Sequence, residues 1–543
     1  VASLLLLGVL VAWPLFLVVV RAVTGHRGQP GELGALLESS NLEVVTNTVV
    51  LGLMVIVVAT LLAAPLAFLM SRTRFRRFGW IDVAVLVPFM TPPYISALAW
   101  MEFTRRGGLA ESWLGPVGGL VQDVFATPAG MAIVMGSEVF PFLYLILRNS
   151  LDRVGATMDE AASVHGASVW RRFGKVLVPL ISSGYSMGIL LVFVRAAGEF
   201  GTPVTLGNQI GFPVLVSKIH EDVTIDPLNF PHAAAMASIL LGIGITVWAV
   251  QQWFVARQAD RTVGIRAQRM TTVGLKPWAV AVAWCWIGST MVVTAVLPGF
   301  VVVTGALTNL RSRGVAWDNL TLDHFADVLT PGGGGMDALT TSVWLALVAA
   351  TVTTILGTMF ALLTNRRRTA TARGIDFLSV APDTVPTIVL ALGFIFLWNA
   401  PWMPWSPYNT YGILILAYVV IFLPLVIQNV KAVRIQISDR LLEAAVVSGA
   451  SGWTSTRRVL LPLLMPGVVA GWLLAFVIGI RELVASSLVR PPSVNLVSPW
   501  ILNQFDQGNR PQAMAMTVIV IFTSTAAILL VDRWRVRLRN RQL

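Results

Sequence analysis

The sequence predicts an all-α polytopic membrane protein, with about twelve transmembrane helices in two parallel six-helix repeats. Three observations lead there. Apolar residues make up 56% of the 543 residues and charged residues only 12%, against roughly 25% charged in a soluble domain. So few charges cannot cover a soluble surface, and so high an apolar content excludes disorder. Twelve stretches reach the ~20 mostly apolar residues that cross a bilayer as a helix. Finally, a segment of 21 residues occurs twice, at 160–180 and 443–463.

In chain order the predicted spans are 1–23, 46–70, 82–104, 130–148, 181–200 and 233–256, then 278–304, 338–363, 376–398, 411–430, 467–486 and 513–532. The first is too long an apolar run for a secretory signal and precedes no soluble domain, so it reads as a span. Lys and Arg in the connections set the orientation. Arg72, Arg74, Arg76 and Arg77 follow span 2; Arg148, Arg153, Arg171, Arg172 and Lys175 follow span 4. The same holds after spans 6, 8, 10 and 12, so that 28 of the 39 basic residues follow even-numbered spans. That parity predicts both termini on the cytoplasmic side. The net charge of +12 is therefore a topology signal and a contact with anionic membrane lipid, and no nucleic-acid partner is expected. One cysteine, Cys285, excludes a disulfide framework and a cysteine metal cluster.

The repeat divides the chain. Between 160–180 and 443–463, twelve of 21 positions are identical at an offset of 283. Upstream the offset is 294, where Pro88 and Pro92 align with Pro382 and Pro386. Six spans per half keep the orientation, so the repeats are parallel and related by an axis along the membrane normal. The predicted halves are 1–265, with a loop at 157–180, and 266–543, with a loop at 439–463. Two equivalent bundles predict a central pathway.

The duplicated loop is built like folded structure. Thr157-x-x-Glu160 is a capping box, and Glu160-Ala161-Ala162 is a good first turn. Gly166 sits where a left-handed helix stop is wanted. In the second copy Asp439 is the predicted cap, Glu443-Ala444-Ala445 the first turns and Gly449 the stop. Each copy thus predicts a short helix, a sharp turn and a second helix running into Pro179 or Pro462. The alternative for a single copy is an amphipathic hairpin on the lipid surface; two copies with retained spacing argue against that.

Glu-Ala-Ala, then Gly, then a later Leu-x-Pro or Leu-Pro resembles the EAA loop of ABC importer permeases of the type I, binding-protein-dependent kind. The resemblance covers nearly the whole chain, each half looking like one permease domain. It implies the type I permease fold and a bacterial inner-membrane location. It also implies a coupling helix in each half, carried by Glu160, Ala161, Ala162, Gly166 and by Glu443, Ala444, Ala445, Gly449. Each helix would dock on one of two copies of an ABC ATPase subunit, which binds the ATP and Mg, and an extracytoplasmic solute-binding protein would deliver the solute. No cofactor is expected on this chain. Fusion of both halves resembles the ferric-iron permeases, with thiamine, aminoethylphosphonate and polyamine permeases as alternatives. The chain has no G-x-x-x-x-G-K-[ST], since Gly174-Lys175 is followed by Val176 and preceded by Val169 at the other glycine position. It is expected to be a transport subunit and not an enzyme.

Ionisable residues inside spans are candidate pathway groups. Arg195 and Glu199 are spaced to share one helix face. Arg481 and Glu482 lie in span 11, with Glu482 aligned to Glu199, and Glu138 lies early in span 4. They read either as a gate or as ion pairs within the bundle. Pro88, Pro92, Pro93, Pro382 and Pro386 interrupt spans 3 and 9, as broken helices beside a pathway or as packing kinks. His220, His232, Glu221, Asp222 and Asp226 lie in one outer loop, where docking to a partner fits their irregular spacing better than a metal does. The rival of another class is an ion-coupled secondary transporter, which leaves the repeated loop unexplained. An intramembrane enzyme lacks paired carboxylates or a Ser/His couple.

Overall fold

The computed structural model describes residues 2–26, 28–153, 165, 168, 171, 173–259, 274–310, 313–365 and 369–540. Among them the secondary structure is helical, apart from two isolated bridges, His26–Gln29 and Thr308–Leu320. Among the described residues ten helices are long and apolar enough to cross a bilayer, or twelve spans when each of two bent pairs counts as one. All twelve fall on the stretches expected from the sequence.

One helix shows why the pattern folds this way. In Ser39–Arg72, Leu51, Val55, Ala59 and Ala63 are buried, while Leu53, Val57 and Leu61 are exposed. Both series recur every four residues, so one stripe faces inward and another outward, and the inward one narrows to alanine at 59 and 63 while the outward one keeps large apolar side chains. Small residues on the inward stripe let neighbouring backbones approach closely, as apolar spans require.

The chain forms two compact units. One comprises 34–221 and 239–304, and its core is Ser39–Arg72 packed on Pro128–Arg153, with Val178–Ala197 against both. The other comprises the residues up to 33, 222–238 and 305 onward, and repeats that core with Gly335–Asn365, Tyr411–Arg434 and Leu461–Ile480. The leading helix of each sequence half belongs to the unit built around the other half. Ala2–Thr24 packs on Thr387–Trp398. A Cβ on Gly393 would lie 2.7 Å from the Pro14 carbonyl oxygen, so only glycine permits that approach. Likewise Trp284, from the leading helix of the second half, sits 5.1 Å from the Phe75 ring and 6.4 Å from Trp80.

The prolines break two spans. Trp80–Pro88 meets Pro93–Thr104 at 83°, and Ala370–Asp383 meets Thr387–Trp398 at 112°. Bends this large are not packing kinks. Each new helix restarts with the same bond, Ile95 N–H to the Pro92 carbonyl at 3.0 Å and Val389 N–H to the Pro386 carbonyl at 3.0 Å. Two expected span ends also move. The fifth span ends at Ala197 and the eleventh at Ile480, short of 200 and 486, because the chain turns at Glu199 and Glu482.

Candidate functional site

The second copy of the repeated loop is fully described. Its helix runs Asp439–Val447, about two turns as expected. The cap is Ser438 and not Asp439: the Ser438 hydroxyl accepts from Arg440 N–H. Asp439 occupies the first helical position instead, where its charge is favoured by the positive end of the helix dipole and pairs with Arg434. The Arg434 guanidinium also donates to the Ile437 carbonyl at 3.0 Å, so the loop's start is braced from the preceding helix.

The stop is as expected. Gly449 takes φ +87, Gly449 N–H donates to the Val446 carbonyl at 2.9 Å and Ala450 N–H to the Ala445 carbonyl at 3.0 Å. Ser451 then caps Gly452–Ser455 through Thr454 N–H at 3.2 Å. The result is a formed helix–turn–helix. Leu442 is its buried anchor, whereas Leu441, Val446, Val447 and Trp453 are exposed, Val447 at 88% and Trp453 at 70%. Glu443 and Ala444 are exposed and Ala445 is half-buried. The first-copy residues Glu160, Ala161, Ala162 and Gly166 lie outside the described residues. Replacing Gly449 by valine forces a β-branched residue into left-handed backbone, at about 1–2 kcal/mol. Hydrogen exchange at the amides preceding it should quicken by about tenfold; unchanged exchange would show that the stop does not need glycine.

The intramembrane charges resolve into another pattern. Glu199 lies beyond its helix, which ends at Ala197, so Arg195 and Glu199 do not share a helical face. One Glu199 oxygen accepts from Gly201 N–H at 2.7 Å, and the other from Thr202 N–H at 3.1 Å. Glu482 does the same beyond Ile480, accepting from Ala485 and Ser486 N–H, each at 2.9 Å. Each carboxylate satisfies the free amides of the helix that restarts after the break. Arg195 sits over the Phe142 ring at 5.6 Å, Arg481 occupies the position just after Ile480, and Glu138 is buried in Pro128–Arg153.

The two histidines of the 220–232 segment diverge. His232 Nδ1 meets an Asp222 oxygen at 2.5 Å, while His220 packs edge-on against Phe200 at 4.9 Å. Burial pushes the His220 imidazole down to about 4. Among the described residues no three metal-ligating side chains converge.

Two duplicated contacts escaped the sequence reading. Leu215 N–H donates to the Thr48 hydroxyl and Val497 N–H to the Ser342 hydroxyl, each at 2.9 Å. Asp82 pairs with Arg148, and Asp376 with Lys431. The repeat offsets of 294 and 283 predict both carboxylates and both cations.

The family described as binding-protein-dependent transport system inner membrane component matches this chain twice, at residues 56–260 and 353–542. The chain is 23% identical to a ferric transport system permease protein of Actinobacillus pleuropneumoniae over 496 residues, 90% of this chain and 70% of that one. It is 23% identical to an Fe(3+)-transport system permease protein of Haemophilus influenzae, over 98% of this chain and 97% of that one. A spermidine/putrescine transport system permease protein of Haemophilus influenzae is 30% identical over 237 residues, 43% of this chain and 89% of that one.

Proposed function

The chain belongs to the binding-protein-dependent transport system inner membrane component family, as a type I ABC importer permease with two family domains in one chain, and from that premise we propose what it carries and how it is driven. The solute is ferric iron, delivered by an external binding protein. Two copies of an ATPase subunit, which hold the ATP and Mg, seat on the loops around Glu160 and Glu443. Closure of the ATPase pair moves the two coupling helices, and the halves alternate access to a pathway between them. Arg195, Glu199, Arg481, Glu482 and Glu138 belong to the elements that border or set that pathway.

One observation carries the reading: the second copy of the loop is a capped, stopped helix that leaves Leu441, Val446 and Val447 exposed, with Trp453 exposed on the short helix after the turn. Apolar side chains on a segment flanked by Arg434, Arg440, Arg457 and Arg458 suit a protein surface better than water. The basic clusters support cytoplasmic termini. They fall on one side only if each bent pair crosses the membrane; were the pairs re-entrant, the clusters after spans 2 and 4 would face opposite ways.

The whole transporter in proteoliposomes, supplied with its binding protein, should accumulate radiolabelled ferric iron in an ATP-dependent manner. Uptake that persists without the ATPase but collapses with an uncoupler would favour an ion-coupled carrier. The likeness to a spermidine/putrescine permease supports polyamine as the second reading, and the ligand held by the binding protein decides between them. The purified chain alone is expected to hydrolyse ATP no faster than background, since no phosphate-binding loop is present.

A further inference from the structure

Both broken spans carry the same ion pair at the end nearest the basic loops. Asp82 lies in the first turn of Trp80–Met90, and its partner Arg148 lies near the end of Pro128–Arg153. Asp376 lies in Ala370–Val380, and its partner Lys431 lies in the last turn of Tyr411–Arg434. The carboxylates are 294 residues apart and the cations 283, the two offsets that relate the halves. Charged residues are only 12% of this chain, and apolar positions are the default along spans. Retention of both signs in both halves therefore asks for a cause.

The details around the pairs differ, and so do not supply it. In the first half the Tyr144 hydroxyl also donates to Asp82; the aligned residue in the second half is Ile427. The cation is Arg in one half and Lys in the other. What is common is opposite charge, joining the arm before each proline break to the helix that leads into the repeated loop. All four side chains are partly buried or half-exposed, Arg148 at 21% and Lys431 at 27%, where attraction exceeds that in open water. From there the contacts continue toward the loop. Arg434, one turn after Lys431, pairs with Asp439 in the first turn of the coupling helix, and Arg148 lies 4.0 Å from Asp152.

We propose that Asp82–Arg148 and Asp376–Lys431 are a duplicated latch of positioning residues, which makes the arm before each proline break move as one body with the helix that feeds the coupling loop. The break then serves as the hinge, and motion at the loop is delivered to the far half of the bent span. The proposal rests on the coupling reading given above.

The test needs no solute. In a Cys285→Ser background, Arg373→Cys on the arm and Ala432→Cys beside Lys431 carry spin labels in the whole complex. Their separation is read without nucleotide and after trapping with ATP and vanadate. With the latch intact, the separation stays the same in the two states. With Asp376→Asn and Lys431→Gln, trapping should shift or broaden it by on the order of 5 Å, about one helical turn, while the ATPase stays bound and vanadate still traps nucleotide. The charge exchange Asp376→Lys with Lys431→Asp should restore the fixed separation, which a role in packing alone would not do. A separation that changes in the intact protein, stays fixed without the pair, or is not restored by the exchange overturns the latch. If the unmodified chain retains no ATPase, the coupling reading fails first and the latch with it.

Discussion

Replacing Glu160 and Glu443 together is expected to release the ATPase from the purified complex. Glu443 stands exposed on the capped helix Asp439–Val447, with no hydrogen bond or ion pair among the described residues to explain a carboxylate present in both copies. A more severe variant follows from the neighbouring surface. Val447 is 88% exposed, and its aligned residue in the first copy is Val164. Aspartate at both positions would put a charge into each apolar contact, costing about 3 kcal/mol per site, or on the order of a hundredfold in Kd. Pull-down of the tagged chain followed by quantification of the ATPase gives the answer. ATPase retained at full stoichiometry in both variants would remove the coupling role from these loops.

The second large effect is expected at the restarted helices. Glu482→Ala withdraws the acceptor from two amides and leaves them without their bonds, at about 2–4 kcal/mol; Glu199→Ala should cost a similar amount. Thermal unfolding of the purified chain should report both losses. Glu199→Gln keeps a carbonyl oxygen and should lose only about 1 kcal/mol. It is expected to leave the complex assembled while altering ATP turnover, since the element after the break would no longer be held by a charge. Unchanged stability in the alanine variants would mean that the amides find other acceptors and that the carboxylates do not hold these turns.

Much of the architecture was legible because the bilayer imposes a length. Each span announces itself as some twenty apolar residues, and Gly449 could be read as a stop because few residues other than glycine take left-handed backbone readily. The exact cap was not legible. Ser438 and Asp439 are both good caps by type, and the choice fell to Arg434, which lies far enough back to draw Asp439 into the helix. The spacing of Arg195 and Glu199 suggested one helical face, but periodicity says nothing of where a helix ends. Glu199 and Glu482 accept from backbone amides, a partner that spacing in the sequence does not reveal. Asp82 and Asp376 are hard to read for the opposite reason. Each sits at the margin of an apolar run, and the partners Arg148 and Lys431 belong to the basic clusters that signal orientation, which hides pairing. The exchange of leading helices has no local signature, because an apolar helix does not encode its neighbour.

That exchange bears on how the protein is made. Ala2–Thr24 is synthesised well before the segment it packs against, Thr387–Trp398, which follows roughly 360 residues later. At about 5–20 residues per second the ribosome needs on the order of 20 to 70 seconds to supply it. Through that interval the earlier helix must be sheltered by lipid or by the insertion machinery. A gene cut between the halves would oblige two nascent chains to find one another before either could finish folding; fusion removes that search by tethering the late partner to the early one.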